Sequence, residues 1–197
     1  MAQDEGSNFL KNKMKQLFKD QRSVHVLYAY NNIENYLKQV VSFIEEGIMT
    51  GDYVILIENE PVYHMIYKEL NTRLTEEEME FVHYVNSFNF YFSSGSYHPP
   101  AILDYFNKMV QPYVENKVSF RSWAHVEWTT MEEPLYLIEN FEKIVDEAVN
   151  QLSFPLICAY EGEEMPDYLV KILMETHPYV LMEDDFIVSE QYQQKLD

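Results

Sequence analysis

The segment Val24–Tyr30 reads Val-His-Val-Leu-Tyr-Ala-Tyr and predicts a buried β-strand. It leads through Asn31 and Asn32 directly into a helical pattern, with no glycine at the junction. In α/β proteins this first strand-to-helix turn is where nucleotide phosphates usually bind, on backbone N–H groups that glycines leave accessible. The sequence therefore argues against a nucleotide hydrolase and favours a protein that binds, senses or docks.

Length and composition are those of one α/β domain. The 197 residues are 47% hydrophobic and include 5 Gly and 8 Pro, so we expect a sizeable core without long linkers. No apolar run approaches roughly 18 residues, and the polar start at residues 1–5 is unlike a signal peptide. The single cysteine, Cys158, excludes an internal disulfide and predicts a reducing, cytoplasmic location.

The strongly acidic charge bears on the choice of partner. A net charge of −19 arises from 14 basic and 33 acidic residues. A field of this sign repels the phosphates of nucleic acids and disfavours anionic membranes, so neither is an expected partner. A neutral or basic protein, or a cation, is compatible with it. The same charge is also explained by solubility alone.

The pattern continues as alternating strands and helices. Further strands are predicted at 52–57, 81–85, 118–126 and 155–160, with short edge strands at 179–182 and 186–188. The segments between them carry apolar residues at helical spacing, whereas residues 88–98 are aromatic and irregular. This alternation predicts βαβ crossovers and a three-layer α/β fold, with a mainly parallel sheet covered by helices on both faces.

Several helix ends carry specific signals. Asn31 or Asn32 can cap the start of the first long helix, and its end is predicted at Gly47–Gly51, where glycine suits a left-handed turn. Thr75–Glu78 matches a capping box that opens a short helix.

The N-terminal residues form a separate unit in this interpretation. Residues 8–20 carry apolar side chains at helical spacing and most of the chain's clustered lysines. We assign residues 1–22 to a helix that packs on the domain or on a second copy, or to a mobile arm, and residues 23–197 to a single domain. A homodimer through the apolar helix is compatible with this pattern.

A series of segments occurs in fixed order along the chain. They are His25–Tyr28, Phe43–Asp52 with its two spaced glycines, Arg121–Trp128, Glu139–Glu142, Leu156–Glu161 with a Cys-x-Tyr pattern, and Thr176–Pro178 followed by Tyr192. In order and spacing this series resembles the MEDS family, the methanogen/methylotroph DcmR-type sensory domain. The resemblance covers roughly residues 24–192.

The resemblance to the MEDS family implies a RecA- or KaiC-like fold without a phosphate loop. It also implies a sensory or regulatory role, often with an attached histidine kinase or DNA-binding domain. Because neither a kinase segment nor a helix-turn-helix is recognised in the 197 residues, we expect a free-standing version.

In an open parallel sheet, ligands bind beyond the carboxyl ends of the strands. The residues predicted at that edge are Tyr30, Asn31, Asn32, Glu58, Asn59, Glu60, His125, Glu127, Trp128, Tyr160, Glu161 and Glu163. They form a hypothetical small-ligand pocket with aromatic walls from Tyr30, Trp128 and Tyr160, and with Glu58 and Glu127 as hydrogen-bond acceptors. The alternative is that these residues are ordinary capping residues. Arg121 either binds a carboxylate ligand or, as we favour, forms an internal ion pair.

Metal and nucleophile chemistry receive little support from the spacing. His25, His125 and His177 are candidate ligands with Glu58, Glu127 or Cys158, but no His-x-x-x-His, His-Glu-x-x-His or Cys-x-x-Cys pattern occurs. We therefore predict no metal or other cofactor. Cys158 lies mid-strand and is predicted to be a buried structural thiol rather than a nucleophile.

Taken together, these features predict a non-enzymatic cytoplasmic regulatory domain. It would bind a small-molecule or protein signal and modulate a signalling partner, such as a histidine kinase or a transcription regulator. Binding would shift the population of loop or N-terminal helix arrangements. The alternatives are a pure protein-interaction adaptor or inhibitor with a vestigial pocket, and a degenerate nucleotide-binding enzyme.

Overall fold

Strands of the predicted kind form one mixed sheet. A computed structural model describes residues 13–127, 136–163, 165–182 and 185–192. Its strands are β1 (Val24–Tyr30), β2 (Tyr53–Glu58), β3 (Val82–Asn86), β4 (Phe120–His125), β5 (Pro155–Glu161), β6 (Tyr179–Leu181) and β7 (Phe186–Val188). Their spatial order is β3-β2-β4-β5-β1-β6-β7. All neighbouring pairs are parallel except β6 and β7, which confirms the predicted α/β class with a mainly parallel sheet.

Helices occupy the connections between the strands. They are α1 (residues 13–20), α2 (Ile33–Met49), α3 (Glu60–Leu70), α4 (Glu76–Met79), α5 (Ser87–Tyr91), α6 (Pro99–Glu115), α7 (Tyr136–Leu152) and α8 (Asp167–Thr176). Helix α5 corrects the prediction that residues 88–98 are irregular throughout. The Asn86 side chain accepts a hydrogen bond from the backbone N–H of Asn89 at 3.1 Å, which caps this short helix.

The predicted helix-start signals act as expected. Of the two candidate caps for α2, Asn32 is the one used, because its side chain accepts hydrogen bonds from the backbone of Glu34 and Asn35. Thr75 and Glu78 form the reciprocal capping box at the start of α4.

Alternating side chains of the central strands supply two separate cores. In β1, Val26 and Tyr28 pack with α1, α2 and α3 on one face, whereas Leu27 packs with α5, α6, α7 and α8 on the other. The sheet is therefore covered by helices on both faces, as predicted from the alternating pattern.

Helix α1 packs on the domain itself. Met14 and Phe18 are buried, and the Phe18 ring meets the edge of the Phe43 ring of α2 at a centroid distance of 5.8 Å. Residues 13–20 thus form a helix that lies against α2. Residues 1–12 lie outside the described part of the chain.

The parallel arrangement brings the carboxyl ends of β1, β2, β4 and β5 to one edge of the sheet, which we call the carboxyl edge. This is where open parallel sheets bind their ligands. Among the described residues, none of the helices combines the length and the apolar character needed to cross a membrane.

Candidate functional site

Three side chains meet at the carboxyl edge, and each is the last residue of its strand. The Tyr30 hydroxyl lies 3.0 Å from His125 Nε2, and His125 Nδ1 lies 2.5 Å from Glu58 Oε1. Their exposures are only 6%, 7% and 0%, respectively. We call Tyr30, Glu58 and His125 the strand-end cluster. A buried, mutually hydrogen-bonded group of this kind is uncommon outside functional sites and internal ion-pair networks.

The Glu58 carboxylate is held by donors from three directions. Its Oε1 accepts from His125 and from the backbone N–H of Asn59 at 2.8 Å, and its Oε2 accepts from the Tyr36 hydroxyl of α2. Trp123 Nε1 in turn donates to the Tyr36 oxygen at 2.9 Å. These donors satisfy both carboxylate oxygens, so a charge can be retained in the interior.

Opposing effects set the charge of His125. Burial opposes protonation of the ring, but the hydrogen bond that His125 donates to Glu58 and the charge of Glu58, with smaller contributions from Glu127 and Glu161, raise the pKa of His125 above 6.5. Burial also raises the pKa of Tyr30, helped by the same acidic groups. Tyr30 therefore stays a neutral phenol that can donate or accept a hydrogen bond, beside an imidazole biased towards the charged form.

The turn between β1 and α2 is closed to phosphate. Asn32 Oδ1 accepts hydrogen bonds from Glu34 N at 2.8 Å and Asn35 N at 3.1 Å, which are N–H groups that would otherwise be free at the helix start. Gly162 N donates to Tyr30 O at 2.8 Å, and a Cβ atom on Gly162 would lie 2.7 Å from Asn31 Oδ1. The donors that bind phosphate in related layouts are thus capped by the chain itself.

The other predicted residues of the carboxyl edge lie in different surroundings. Asn31 and Asn32 lie at the turn just described, and Glu127 Oε1 accepts from Ser87 Oγ of α5 at 2.7 Å. Tyr160 points to the opposite face of the sheet, where its hydroxyl donates to Glu142 of α7. The structure therefore does not bring Tyr160 to the strand-end cluster. Trp128 lies outside the described residues.

Arg121 lies at the other end of β4, away from the carboxyl edge. Its Nη2 and Nε atoms lie 2.8 and 2.9 Å from Asp52 Oδ2, and both side chains are 2% exposed. Burial raises the pKa of Asp52, but hydrogen bonds from Arg22 and Ser119 and the charge of Arg121 lower it overall. Arg121 thus forms an internal ion pair with Asp52, the alternative favoured from sequence. It does not contribute a cationic side chain to the strand-end cluster.

Sequence reasoning missed two side chains that the structure makes important. Tyr36 lies one helical turn before Val40 on the inward face of α2, so its burial could have been anticipated from spacing. Glu142 is a fully buried carboxylate on α7, next to the buried Phe141. An acidic residue on an apolar helix face was the available signal, because such residues are seldom buried without partners.

Three of the predicted metal-ligand candidates do meet, but on the opposite face of the sheet from the strand-end cluster. His25, Cys158 and His177 lie together with Glu142, and we call these residues the four-residue cluster. His125 is not part of it. Cys158 is buried, as predicted, and burial raises the pKa of its thiol.

Fold and edge together define an α/β domain with a mostly parallel seven-stranded sheet, helices on both faces and a self-capped turn after its first strand. A family model described as MEDS, MEthanogen/methylotroph, DcmR Sensory domain, matches residues 24–178. Because the match covers well over half of the 197 residues, the chain belongs to the MEDS family, which confirms the resemblance seen in the sequence. A search of curated proteins finds no match. MEDS is a family of sensory rather than catalytic domains, which supports a sensory or regulatory role.

Proposed function

We propose that this chain is a sensory module that binds a small neutral or cationic molecule at the strand-end cluster and thereby modulates a signalling partner. The observation that carries the proposal is the buried Tyr30–His125–Glu58 arrangement at the ends of three parallel strands. A buried network of this quality is costly to assemble, and it stands where the topology places ligand sites.

The chemistry of the edge selects against anions. Glu127 and Glu161 contribute negative charge around His125, and the chain as a whole carries −19. Arg121 is engaged at the other end of its strand. A ligand with hydrogen-bond donors, such as a small amine or alcohol, therefore suits this edge better than a carboxylate or a phosphate.

A path from the edge to the surrounding helices is present. Tyr30 is followed by the turn in which Asn32 caps the start of α2. Ser87 of α5 donates a hydrogen bond to Glu127, which lies just beyond the end of β4. A ligand that competes for Glu127 or Tyr30 would change the relative free energies of two arrangements of these helices. The partner that reads this change would be a signalling protein, such as a histidine kinase or a transcription regulator, in a cytoplasmic pathway.

Thermal unfolding of the full chain tests this proposal. The probes are a panel of small primary amines and alcohols, size-matched carboxylates, and ATP with magnesium. We expect amines or alcohols to raise the melting temperature in a concentration-dependent manner, and carboxylates and ATP to leave it unchanged. His125→Gln should abolish the increase.

The matched control is His83→Gln, since His83 is a partly buried histidine of β3 that lies beside Tyr113 rather than at the carboxyl edge. This variant should retain the response to the probes. The proposal is wrong if none of the amines and alcohols shifts the melting temperature, or if His125→Gln and His83→Gln respond alike.

A further inference from the structure

The four-residue cluster brings together side chains that are distant in sequence. His25 comes from β1, Cys158 from β5, Glu142 from α7, and His177 directly follows α8. One nitrogen, sulfur or oxygen atom from each lies within 4.8 Å of all the others, and all four residues are buried. This cluster is on the opposite face of β1 from Tyr30 and plays no part in the proposed ligand site.

Several distances between the four ligand atoms already match those in a metal site. His25 Nε2 lies 3.4 Å from both Cys158 Sγ and Glu142 Oε2, and His177 Nε2 lies 3.4 Å from the same Glu142 oxygen. Around a tetrahedral zinc ion, with bonds of about 2.0–2.3 Å, neighbouring ligand atoms are roughly 3.3–3.7 Å apart. The remaining pairs lie within 4.8 Å and would draw closer around a bound ion.

The direction of the hydrogen bonds leaves two acceptor atoms facing each other inside the cluster. His177 Nδ1 donates to the carbonyl oxygen of Leu173 at 2.8 Å, so its Nε2 presents a lone pair. That lone pair faces Glu142 Oε2, which also can only accept when ionised. Within the described part of the chain, neither atom has a hydrogen-bond partner. Two buried acceptors that face each other are unfavourable unless a proton or a metal cation lies close to both.

The outer contacts are those of metal-binding side chains. His25 Nδ1 lies 3.2 Å from Asp146 Oδ1, and Asp146 in turn accepts from the Tyr192 hydroxyl at 2.9 Å. Tyr160 donates to Glu142 Oε1, which leaves Oε2 for the cluster. Metal-ligating histidines nearly always donate their second N–H to a carboxylate or a backbone carbonyl, and both histidines of the cluster have such a partner.

We propose that the four-residue cluster binds one divalent transition-metal ion, with zinc the best fit, through His25 Nε2, His177 Nε2, Cys158 Sγ and Glu142 Oε2. Two imidazoles, a thiolate and a carboxylate suit a metal of intermediate softness. The thiolate and the carboxylate together balance the charge of a divalent ion, so the buried site would be neutral. As the metal–sulfur bond forms, the S–H bond of Cys158 breaks and its proton passes to solvent, with no change of oxidation state.

The site would join distant parts of the domain rather than perform catalysis. All four positions of a tetrahedral ion would be filled by protein atoms, which is the arrangement of structural and regulatory zinc sites. The bound ion would link β1, β5, α7 and the segment after α8. The competing arrangement has a protonated His25 in place of the metal, and the experiment separates the two.

The first test is metal loading of the purified full chain. We expect one bound Zn²⁺ per chain by elemental analysis after dialysis, a melting temperature several degrees higher than that of the chelator-treated protein, and reversal by a chelator. Loading with Co²⁺ should give the intense visible bands of a tetrahedral site and a thiolate-to-cobalt charge-transfer band. Absence of stoichiometric metal and of both signals would show that a proton occupies the cluster, and would overturn the proposal.

Variants assign the ligands. Glu142→Gln and Cys158→Ser preserve side-chain size, and each should weaken zinc binding by more than tenfold. Asp146→Asn, at a residue whose side chain hydrogen-bonds to His25 and Tyr192, should weaken it by about 10–100-fold. His83→Gln, on β3 and outside both clusters, should bind zinc as the wild type does. If the buried variants do not fold, the cobalt spectrum of the wild type decides alone, since a spectrum without the thiolate band contradicts the assignment of Cys158.

Discussion

Gly47 of α2 lies directly against the side chain of Arg121. A Cβ atom at residue 47 would stand 2.9 Å from Arg121 Cδ and 2.8 Å from Val54 Cγ2. Arg121 has little freedom to move, because Asp52 holds it from one side and its guanidinium carbon lies 5.2 Å from the centre of the Phe43 ring. The absence of a side chain at Gly47 thus makes room for the buried ion pair.

We therefore expect Gly47→Ala to lower the free energy of unfolding by about 1–3 kcal/mol, through overpacking. Helix propensity alone predicts the opposite sign, a gain of about 1 kcal/mol. Urea denaturation measures the difference. The matched control is Gly51, which has φ +82° and open space around its missing Cβ atom. At Gly51 only the backbone conformation is constrained, so Gly51→Asn should lower the free energy of unfolding less than Gly51→Ala does. At Gly47 the missing space is the constraint, so Asn should be no better tolerated than Ala. A neutral or stabilising Gly47→Ala would contradict this interpretation.

The contribution of His125 to stability should depend on pH. Although burial opposes its charge, Glu58 raises the pKa of His125 above the value of about 6.5 expected in the unfolded chain. The folded state therefore binds the proton more tightly, so the stabilisation is fully present below pH ~6.5 and is lost as the pH rises through the folded pKa. The difference in unfolding free energy between wild type and His125→Gln should shrink from pH ~6.5 upward.

Urea titrations at a series of pH values, with NMR titration of the His125 ring protons, measure this effect. The control is His64→Gln, since His64 is exposed on α3 and pairs with Glu60 rather than with a residue of the strand-end cluster. A difference between wild type and His125→Gln that grows with pH, or a ring that titrates below 6.5, is the result that this assignment cannot accommodate.

The hydroxyl of Tyr36 should contribute more to the free energy of unfolding than most buried polar groups of this domain. It donates to Glu58 and accepts from Trp123, so Tyr36→Phe leaves both a carboxylate oxygen and an indole N–H without their partner. We expect a loss of about 3 kcal/mol in unfolding free energy, measured by urea denaturation. Tyr91→Phe is the comparison, because its buried hydroxyl has no hydrogen-bond partner among the described residues. That change should cost less than about 0.5 kcal/mol, and equal costs for the two variants would refute the argument.

An apolar cavity of about 30 Å³ lies between the sheet and α6 and α7, and Val145 of α7 lines it. Val145→Ile adds one methylene group to this space, which should raise the unfolding free energy by about 0.5–1 kcal/mol. Val149→Ile makes the same change on the same helix, at a buried residue that does not line the cavity. It should be neutral or destabilising by about 1–3 kcal/mol. Melting temperatures that rise equally in both variants would show that the cavity is not the cause.

Much of the fold was accessible from sequence because local signals agree with each other. The strand Val24–Tyr30, the cap at Asn32 and the capping box at Thr75 each follow from residue type and spacing, and all are present in the structure. The position of Arg121 was also accessible. It lies in the amino-terminal half of the predicted strand 118–126, which places it at the edge opposite His125.

The sites were harder to predict because they depend on which face of the sheet a residue occupies. Tyr30 and Tyr160 both lie near strand ends, but alternation sends them to opposite faces, and only the register between β1 and β5 reveals this. The four-residue cluster has no sequence motif, since its ligands come from different elements and meet only through tertiary packing. Spacing rules for metal sites recognise ligands that are close in sequence, so they could not find it.

Strand β1 carries His25 on one side and Tyr30 on the other, and it lies between β5 and β6 in the middle of the sheet. A lateral movement of this strand would change its packing against the helices on both faces of the sheet. If binding at one site favours one position of β1, it changes the affinity at the other site. The second ligand changes the affinity of the first site by the same factor, because such linkage is reciprocal. A metal ion bound at the four-residue cluster would then change the affinity of the strand-end cluster for its ligand. The concentration of available metal would thereby set how much ligand the domain needs in order to respond.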